Sequence, residues 1–344
     1  MPKVIAGPCS AESEDQVLST ARQLGRVGVE WFRAGLWKPR TMPGCFEGVG
    51  EKGLPWLGRV KSELGMKICT EVASAKHVEL CLGAGLDMVW IGARTTANPF
   101  LVQEIADALA GAPVKVFVKN PITQDRLLWV GAVERLRRSG AEDISLVHRG
   151  FSTFEKIRYR YAPCWDIAIA MRSAFPDIPF WCDPSHMAGD AALIPEIAQK
   201  SLDLGLDGLM LESHCNPAAA LSDARQQLTP AQLGSLLKDL KPRLRDADNA
   251  DYRRTLLELR ERIDELDGAL VETLSRRMEV SREIGRIKKE NNVAILQTIR
   301  WDEVVEAALS KAESGNLDPG FVSRIFNEIH DASVVEQNKI ISEI

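Results

Sequence analysis

The feature that most constrains the fold of this chain is one pattern repeated eight times between Val4 and His214. Each repeat has a short apolar run, a turn containing Gly or Pro, and a longer amphipathic segment. Strands that alternate with helices in this way give a parallel sheet covered by helices. The apolar runs are Val4–Ala6, Glu30–Arg33, Lys67–Val72, Met88–Ala93, Val114–Lys119, Ile144–His148, Ile178–Cys182 and Gly208–Glu212.

Eight such units predict an α/β fold of the closed (β/α)8 type, a TIM barrel. A doubly wound open sheet is the competing architecture. It is disfavoured because no Gly-x-Gly-x-x-Gly sequence follows the first run and because the runs number eight. Two connecting segments have helical features: Ala75–Ala84 meets a Gly-Ala-Gly sequence suited to a helix C-terminus, and Ala191–Gly205 carries apolar residues at helical spacing.

Polar, charged or thiol residues stand at the carboxyl end of every predicted strand, where TIM barrels build their active sites. Cationic residues at or just beyond the ends of four strands would converge on this mouth. A single cation at a strand end is usually only solvated, but several that converge on one mouth indicate a binding site for anions. Because Arg and Lys bind carboxylate and phosphate, we expect a pocket for a multiply anionic substrate, or for two. The cations are Arg33, Lys38, Arg40, Arg94, Lys119 and Arg149.

A second group of strand-end residues has the donor types of a metal site. Cys9, His186 and Glu212 follow strands one, seven and eight, which are neighbours in a closed barrel, and Asp223 lies in the loop after the last strand. A thiolate, an imidazole and two carboxylates suit a divalent transition ion. The alternative is a buried cysteine, a capping aspartate and an unrelated ion pair. The stretch from Asp183 to His186 could equally be a turn that ends the seventh strand.

Composition bounds the setting of these sites. Of the 344 residues, 45% are hydrophobic and 26% charged, as in a globular protein with one large and one smaller domain. The net charge of −5 argues against nucleic acid or an anionic membrane as the main partner. We expect a cytoplasmic protein, because the sequence shows no signal peptide and no apolar run long enough to span a bilayer. Its seven cysteines are an odd number, scattered singly and without a CxxC motif, as expected of reduced thiols.

Seven short motifs, in order, resemble the 3-deoxy-D-arabino-heptulosonate 7-phosphate (DAHP) synthases of the short type I-beta branch, over residues 1–240. The resemblance implies condensation of phosphoenolpyruvate with erythrose 4-phosphate. Octulosonate 8-phosphate synthases, which use arabinose 5-phosphate, are the nearest alternative, but their equivalent loop typically inserts an Asn within Lys38-Pro-Arg-Thr41. The motifs are Ala6-Gly-Pro-Cys-Ser10, Lys38-Pro-Arg-Thr41, Gly92-Ala-Arg94, Val118-Lys119, His148-Arg-Gly150, Asp183-Pro-Ser-His186 and Leu211-Glu212.

The same resemblance implies a role for each mouth residue. One divalent ion per barrel, foremost Mn²⁺ with Fe, Co or Zn as alternatives, would be bound by Cys9, His186, Glu212 and Asp223. Phosphoenolpyruvate would be bound by Arg33, Lys38, Arg94, Lys119 and Arg149. The phosphate of erythrose 4-phosphate would be bound by Arg40 and Thr41. The candidate catalytic groups are Lys38, Asp183 and Glu71, and the sequence does not choose which carboxylate handles protons.

After Leu240 the pattern becomes all-helical. Residues 241–251 are charged and lack apolar periodicity, so they are predicted as a linker between a barrel domain (1–240) and a helical domain (252–344). Apolar spacings of three and four predict a helix to about Lys289, a second across Arg300–Ala312 and a third from Gly320 onwards. A helix near 40 residues spans about 60 Å and cannot fold back on itself, so we expect this three-helix domain to dimerise.

Cationic residues on the long helix indicate a second anion site. Arg277 and Lys288 lie eleven positions apart and so share one face. Arg260 is about 25 Å from Arg277 along the axis, so it could reach the same small ligand only from an antiparallel partner chain. Solvated helix charges are the simpler interpretation when these residues are taken alone.

The helical segment resembles the all-helical (AroQ-type) chorismate mutases over residues 251–344, which implies rearrangement of chorismate to prephenate. Trp301 is a departure, because many mutases have a carboxylate there. The motifs are Leu259-Arg-Glu-Arg-Ile263, Leu266-Asp267, Arg276-Arg277, Gly285-Arg-Ile-Lys288, Arg300 and Ser333-Val-Val-Glu-Gln337. The resemblance implies that the two carboxylates of chorismate would be bound by Arg277, Arg300 and the partner subunit's Arg260. The ether oxygen would be bound by Lys288 and Gln337, with Ser333 lining the pocket.

Together these patterns predict a homodimeric, bifunctional shikimate-pathway enzyme. The alternative is an octulosonate 8-phosphate synthase-like barrel with a non-catalytic helical module for dimerisation or regulation. Because the first strand is predicted to begin near Val4, we expect no ferredoxin-like regulatory module of the kind that some relatives carry before the barrel. We therefore expect prephenate or chorismate bound at the helical domain to inhibit the barrel.

Overall fold

The computed structural model describes residues 2–40, 43–244, 247–295 and 298–342, with the backbone alone for 298–300. The chain divides into two compact units, Met1–Arg245 and Asp246–Ile344. None of the helices in the described ranges combines the length and the apolar character that a membrane span requires.

The first unit is a closed barrel of eight parallel strands, as the repeat predicts. Each strand pairs with the next along the chain, and β1 pairs with β8, so the sheet has no free edge. The strands are β1 (Lys3–Gly7), β2 (Trp31–Arg33), β3 (Lys67–Val72), β4 (Met88–Ile91), β5 (Lys115–Lys119), β6 (Ile144–His148), β7 (Phe180–Cys182) and β8 (Gly208–Glu212).

Four strands are shorter than their apolar runs predict. The run from Ile178 begins as a strand only at Phe180, because Pro179 has no N–H to donate to the ladder. β4 stops at Ile91, because Gly92 is already the N-cap of a short helix. β2 and β5 each begin one residue later than predicted.

At least one α-helix separates each pair of successive strands, and a further helix follows β8. Side chains fix several of their N-termini: Ser13, Ser74 and Asp125 each accept a hydrogen bond from a backbone N–H of the first turn. The helices are α1 (Glu14–Arg26), α2 (Leu54–Leu64), α3 (Ala75–Gly83), α4 (Ala93–Thr96), α5 (Pro99–Ala108), α6 (Arg126–Arg138), α7 (Trp165–Ala174), α8 (Pro184–Ala188), α9 (Ile194–Asp203) and α10 (Pro230–Asp239).

Two apolar layers stabilise the barrel. The larger lies between strands and helices, and the smaller fills the barrel interior with side chains that include Met88, Trp90, Phe117 and Trp181. Gly208 makes room for this filling, because a Cβ there would lie 2.4 Å from the Trp181 ring. The interior of the barrel is therefore a packed apolar core.

His148 at the end of β6 gives the barrel a pH-dependent stability. Its Nε2 donates a hydrogen bond at 2.5 Å to the carbonyl oxygen of Pro163, which can only accept. Burial lowers the pKa of His148 to about 3, far below its ordinary value of 6.5. Below pH 6.5 the unfolded chain therefore binds a proton that the folded barrel does not, so stability is lost as pH falls towards the folded pKa.

We expect wild type to lose about 2 kcal/mol more unfolding free energy between pH 7 and pH 5 than His148→Gln, whose amide does not titrate. Urea unfolding of the barrel at the two pH values measures the difference. Equal losses in the two proteins would show that His148 is not the titrating group.

The second unit consists of three helices, α11 (Ala250–Glu290), α12 (Thr298–Ser314) and α13 (Pro319–Ser342). α11 begins inside the predicted linker, because the side chain of Asn249 accepts a hydrogen bond from Tyr252 N at 3.1 Å and so caps the helix there. Gly285 lets α11 and α13 approach closely, since a Cβ there would lie 3.2 Å from Gln337 Cα. Residues 245–246 of the predicted linker lie outside the described residues.

The first two thirds of α11 carries a row of exposed apolar side chains. Leu259, Ile263, Leu266 and Leu270 are 47–69% exposed. Only Ser281 and Gly285, near its C-terminal end, are buried on this helix. A helix with so much uncovered apolar surface is typical of one that packs against another chain.

Candidate active site

The carboxyl ends of the strands surround a cavity of about 220 Å³. Its wall is mainly cationic and polar, in contrast to the apolar interior below it. The lining includes Lys38, Arg40, Glu71, Arg94, Lys119, Arg149, Arg160, Tyr161, His186 and Asp223. Most of the predicted mouth residues therefore lie around one cavity, whereas Arg33, Cys9, Asp183 and Glu212 are buried and not among the lining residues.

Three of the four predicted metal ligands form one cluster. Donor atoms of Cys9, Glu212 and Asp223 all lie within 4.8 Å of one another. Cys9 Sγ is 3.1 Å from Asp223 Oδ2, and Lys38 Nζ is 2.9 Å from the same sulfur. Gly7 allows β1 and β2 to approach closely just before Cys9, because a Cβ there would lie 1.9 Å from the Arg33 carbonyl oxygen. The candidate metal site thus forms where β1 and β8 end side by side.

Burial raises the pKa of the Cys9 thiol to about 12, and the neighbouring carboxylates of Glu212 and Asp223 add to this effect. Lys38 acts in the opposite direction. A buried thiol beside two carboxylates is a donor set that a divalent cation would neutralise, since a metal ligates the thiolate and displaces its proton. The residues present therefore fit a metal ion.

His186 is oriented towards this cluster without being part of it. Its Nε2 lies 3.7 Å from Glu212 Oε1, and its Nδ1 lies 2.8 Å from Asp183 Oδ2. Burial lowers the pKa of His186 although both carboxylates favour its protonated form. The imidazole is therefore neutral near pH 7, which is the form that ligates metals.

Two buried ion pairs connect the cationic and acidic parts of the mouth. Arg33 Nη2 lies 3.1 Å from Glu212 Oε1, and Lys119 Nζ lies 2.6 Å from Asp183 Oδ2. Burial alone would raise the pKa of Asp183, but His186 and Lys119 hold it well below the ordinary value. The Asp183 carboxylate is therefore ionised and already committed to partners.

Glu71 is held by Trp90, a residue that the sequence analysis did not single out. Glu71 Oε2 accepts a hydrogen bond from Trp90 Nε1 at 3.1 Å. The ring of Trp90 also lies 4.9 Å from Arg33 Cζ and 5.6 Å from Lys119 Nζ. Gly92 leaves space for the carboxylate, because a Cβ there would lie 2.1 Å from Glu71 Oε1. Alternation along β4, which points Trp90 inward with Met88, was the available signal.

The cationic wall of the cavity includes Arg149, whose buried Nε lacks a hydrogen-bond partner within the described residues. Nε and Nη1 of Arg33, which is buried and does not line the cavity, also lack one. Arg149 stacks on Tyr161, with Cζ 3.7 Å from the ring centroid. Such buried donors are stabilised when an anion binds nearby. This wall is the part of the site best suited to carboxylate and phosphate.

Arg160 is a second residue that the sequence analysis missed. Its Nη1 donates to Asp223 Oδ1 at 3.0 Å, while Arg40 Nη1 lies 3.7 Å from Asp223 Oδ2. The alternating Arg-Tyr-Arg-Tyr sequence from Arg158 to Tyr161, in the loop after β6, was the available signal. Thr41, predicted to contact a phosphate, lies outside the described residues.

The helical unit brings together some of its predicted site residues. Arg277 Nη1 donates a hydrogen bond to Ser333 Oγ, and Lys288 Nζ donates to the Ile295 carbonyl at 2.6 Å. Gln337 is buried, and its Oε1 has no hydrogen-bond partner within the described part of the chain. Arg260 lies 17 positions before Arg277 on the same continuous helix, so the structure does not bring these two together.

Two further predicted features of this unit concern α12. The side chain of Arg300 lies outside what the structure describes. Trp301, which replaces an expected carboxylate, stacks on His330 of α13 with ring centroids 4.0 Å apart. His330 precedes Ser333 by three positions, so the stack lies on the same face of α13 as Ser333.

Comparison with known proteins identifies both units. The DAHP synthetase I family matches residues 2–245, and chorismate mutase type II matches residues 259–338. The phospho-2-dehydro-3-deoxyheptonate aldolase of Thermotoga maritima is 32% identical over 71% of this chain and 70% of its own length. A 2-dehydro-3-deoxyphosphooctonate aldolase of a Synechococcus strain is 30% identical over 71% of this chain and 88% of its own length.

The crystal structure of the Thermotoga maritima DAHP synthase superposes with a TM-score of 0.62 at 30% identity, covering 69% of this chain and 67% of that one. A truncated form of the same enzyme gives a TM-score of 0.60 at 29% identity. These matches agree with the closed barrel of the first unit. The chain therefore belongs to the DAHP synthetase I family, with a chorismate mutase type II domain following its barrel.

Proposed function

We propose that this chain is a bifunctional enzyme of the shikimate pathway, a DAHP synthase in its barrel and a chorismate mutase in its helical domain. The family matches over residues 2–245 and 259–338 support the two activities. The observation that carries the barrel assignment is the cavity, which is lined by cations that include the buried guanidinium of Arg149 and has a thiol and carboxylate cluster beside it.

The cationic wall suits phosphoenolpyruvate, which carries a carboxylate and a phosphate within a few ångströms of each other. Its binding would supply the anionic partner that the buried Nε of Arg149 lacks. Arg94 and Lys119 also line the cavity, and Lys119 is held against Trp90 and Asp183. Arg40, near Asp223 at the rim, is placed to bind the phosphate of the aldose.

In the proposed reaction, C3 of phosphoenolpyruvate forms a bond to the aldehyde carbon of erythrose 4-phosphate, water adds at C2, and phosphate leaves from C2. Lys38 is the cation best placed to stabilise the aldehyde oxygen as it gains negative charge. Glu71 is better placed than Asp183 to take the proton of the water. Asp183 is ion-paired to Lys119 at 2.6 Å, whereas Glu71 lines the cavity and accepts a hydrogen bond from Trp90 Nε1.

We propose that Cys9, Glu212, Asp223 and Nε2 of His186 hold the metal on which this family depends, with Mn²⁺ as the first candidate. A divalent ion there supplies Lewis acidity beside the reacting carbonyl group. Lys38 Nζ, 2.9 Å from Cys9 Sγ, would then stabilise the thiolate when the ligand is deprotonated. The set of one sulfur, one nitrogen and two carboxylates suits a transition ion better than Mg²⁺ or Ca²⁺.

Removal of the metal tests this assignment. Dialysis against a chelator is expected to abolish phosphate release from phosphoenolpyruvate and erythrose 4-phosphate, and added Mn²⁺ is expected to restore it. Mutase activity in the same sample serves as the control, because the rearrangement of chorismate needs no metal. Full synthase activity in metal-free protein would contradict the assignment of a metal to this site.

In the helical domain we propose that Arg277 and Arg300 bind the carboxylates of chorismate and that Lys288 and Gln337 contact its ether oxygen. The unsatisfied, buried Gln337 Oε1 and the pairing of Arg277 with Ser333 support a polar pocket there. Catalysis then consists of holding the reactive conformer and stabilising the oxygen as its bond breaks.

We further propose that α11 pairs with its copy in a homodimer through the exposed apolar row Leu259, Ile263, Leu266 and Leu270. Such pairing would bring Arg260 of the partner subunit into the mutase pocket, which its own chain cannot do. Light scattering is expected to give twice the 38.0 kDa mass of the chain. A monomer at micromolar concentration would contradict the shared pocket.

Feedback control is the last part of the proposal. Prephenate bound at the helical domain is proposed to inhibit the barrel, because this domain is an added module with its own anion site. Synthase velocity is expected to fall as prephenate saturates the mutase pocket. Arg277→Ala is expected to abolish that response, and an unchanged velocity in wild type would exclude this form of control.

A further inference from the structure

Two consecutive glutamines in the loop after β8 contact all three members of the thiol and carboxylate cluster. Gln226 and Gln227 are 1% and 3% exposed. The chain leaves a short 3-10 turn at Gln226 and is extended at Gln227, so the two side chains point in different directions. The next residue extends the β8 ladder, since Leu228 N donates to the Glu212 carbonyl at 3.0 Å.

The Gln226 side chain contacts one carboxylate of the cluster directly and is connected to the other through Arg160. Its Nε2 donates to Glu212 Oε2 at 2.7 Å, and its Oε1 accepts from Arg160 Nη1 at 2.8 Å. The same Arg160 nitrogen donates to Asp223 Oδ1 at 3.0 Å. One oxygen of each carboxylate is therefore held by a hydrogen bond, from Gln226 or from Arg160. The other oxygen of Asp223 lies 3.1 Å from Cys9 Sγ.

Gln227 fixes the third member through the backbone. Its Oε1 accepts from Cys9 N at 3.0 Å, and its Nε2 donates to the Ser222 carbonyl at 2.9 Å. The start of the loop after β1 is thereby tied to the residue that precedes Asp223. Asp223 itself has a φ of +48°, so its backbone needs such support to stay in the left-handed region.

We infer that Gln226 is a positioning residue of the metal site, which sets the Glu212 carboxylate directly and the Asp223 carboxylate through Arg160; the inference rests on the proposed metal-dependent function. An amide suits this place because it donates to one partner and accepts from another without adding charge to an acidic cluster. Groups that orient metal ligands in this way typically change metal affinity 10–100-fold when removed.

The test is Mn²⁺ binding to the full chain, measured from the electron paramagnetic resonance signal of the free ion. Gln226→Met keeps the side-chain length and removes both hydrogen bonds, so its Kd is expected to rise about 10–100-fold. Gln199→Met is the matched control. Gln199 makes its hydrogen bonds on the outside of the barrel, with Asp203 and the Lys241 backbone, and its replacement is expected to leave the Kd within twofold of wild type.

Thermal unfolding of the metal-free proteins separates positioning from a general loss of stability. If Gln226→Met does not fold, Gln226→Asn replaces it, because the shorter amide cannot reach Glu212 and Arg160 together. A folded variant that binds Mn²⁺ within twofold of wild type would overturn the inference. Cys9→Ser and Glu212→Gln report on the metal site itself. If they also bind like wild type, the metal assignment falls together with the inference, and if they alone weaken binding, only the role of Gln226 is wrong.

Discussion

Replacement of Lys38 by Met is expected to lower the kcat of DAHP formation about 10²–10³-fold, the typical loss when one electrostatic group is removed from a reacting centre. Lys38 lines the cavity, and its Nζ lies 2.9 Å from Cys9 Sγ and 3.3 Å from the Cys9 carbonyl oxygen. Burial alone would lower the pKa of Lys38, but Cys9, Glu212 and Glu71 hold it above its ordinary value. The side chain is therefore a permanent cation beside both proposed substrates.

The measurement is steady-state phosphate release in the presence of Mn²⁺. Lys52→Met is the matched control, since Lys52 is an exposed lysine beyond the same loop and its loss is expected to change kcat less than twofold. Mutase activity is expected to stay at the wild-type level in both variants. A Lys38→Met enzyme that kept more than a tenth of wild-type kcat would contradict the role given to this lysine.

Arg277→Ala is expected to lower chorismate mutase kcat/KM about 10²–10³-fold, because the loss of a charged hydrogen bond to a carboxylate in a partly desolvated pocket costs several kcal/mol. Arg277 is half-buried between α11 and α13, where burial lowers the pKa of its guanidinium and Ser333 accepts its hydrogen bond. Its charge is therefore directed into the helical unit rather than into solvent.

The decrease in chorismate absorbance measures this effect. The neighbouring Arg276 is exposed, so Arg276→Ala removes the same charge from the same helix and is expected to leave kcat/KM within twofold. DAHP formation in both variants is expected to match wild type without prephenate. Equal mutase activity in the Arg277 and Arg276 variants would place the chorismate pocket elsewhere.

The barrel could be predicted from the sequence because its strands are buried on both faces and so appear as continuous apolar runs. The strand ends were predicted less well. Pro179 removes a hydrogen-bond donor of the ladder inside one run, and Gly92 caps a helix inside another. Neither residue interrupts the apolar pattern from which the strands were predicted. The long helix α11 was predicted nearly to its ends because its apolar spacing continues to its C-terminal turn.

The candidate site was only partly predictable. Cys9, Glu212 and Asp223 could be grouped because they carry metal-donor atoms and follow neighbouring strands. The side chains that hold them have no such signature. Gln226 is uncharged, and Arg160 lies twelve positions beyond the end of β6, so only the folded loops bring them to the cluster. Trp90 was missed for a related reason, since an inward tryptophan usually indicates core.

The choice of aldose separates the proposed synthase from its nearest alternative, an octulosonate 8-phosphate synthase-like barrel that would use arabinose 5-phosphate. The measurement is phosphate release by the Mn²⁺-loaded chain from phosphoenolpyruvate with erythrose 4-phosphate or with arabinose 5-phosphate. We expect kcat/KM for erythrose 4-phosphate to be at least 100-fold higher than kcat/KM for arabinose 5-phosphate. Equal or faster turnover of arabinose 5-phosphate would contradict it.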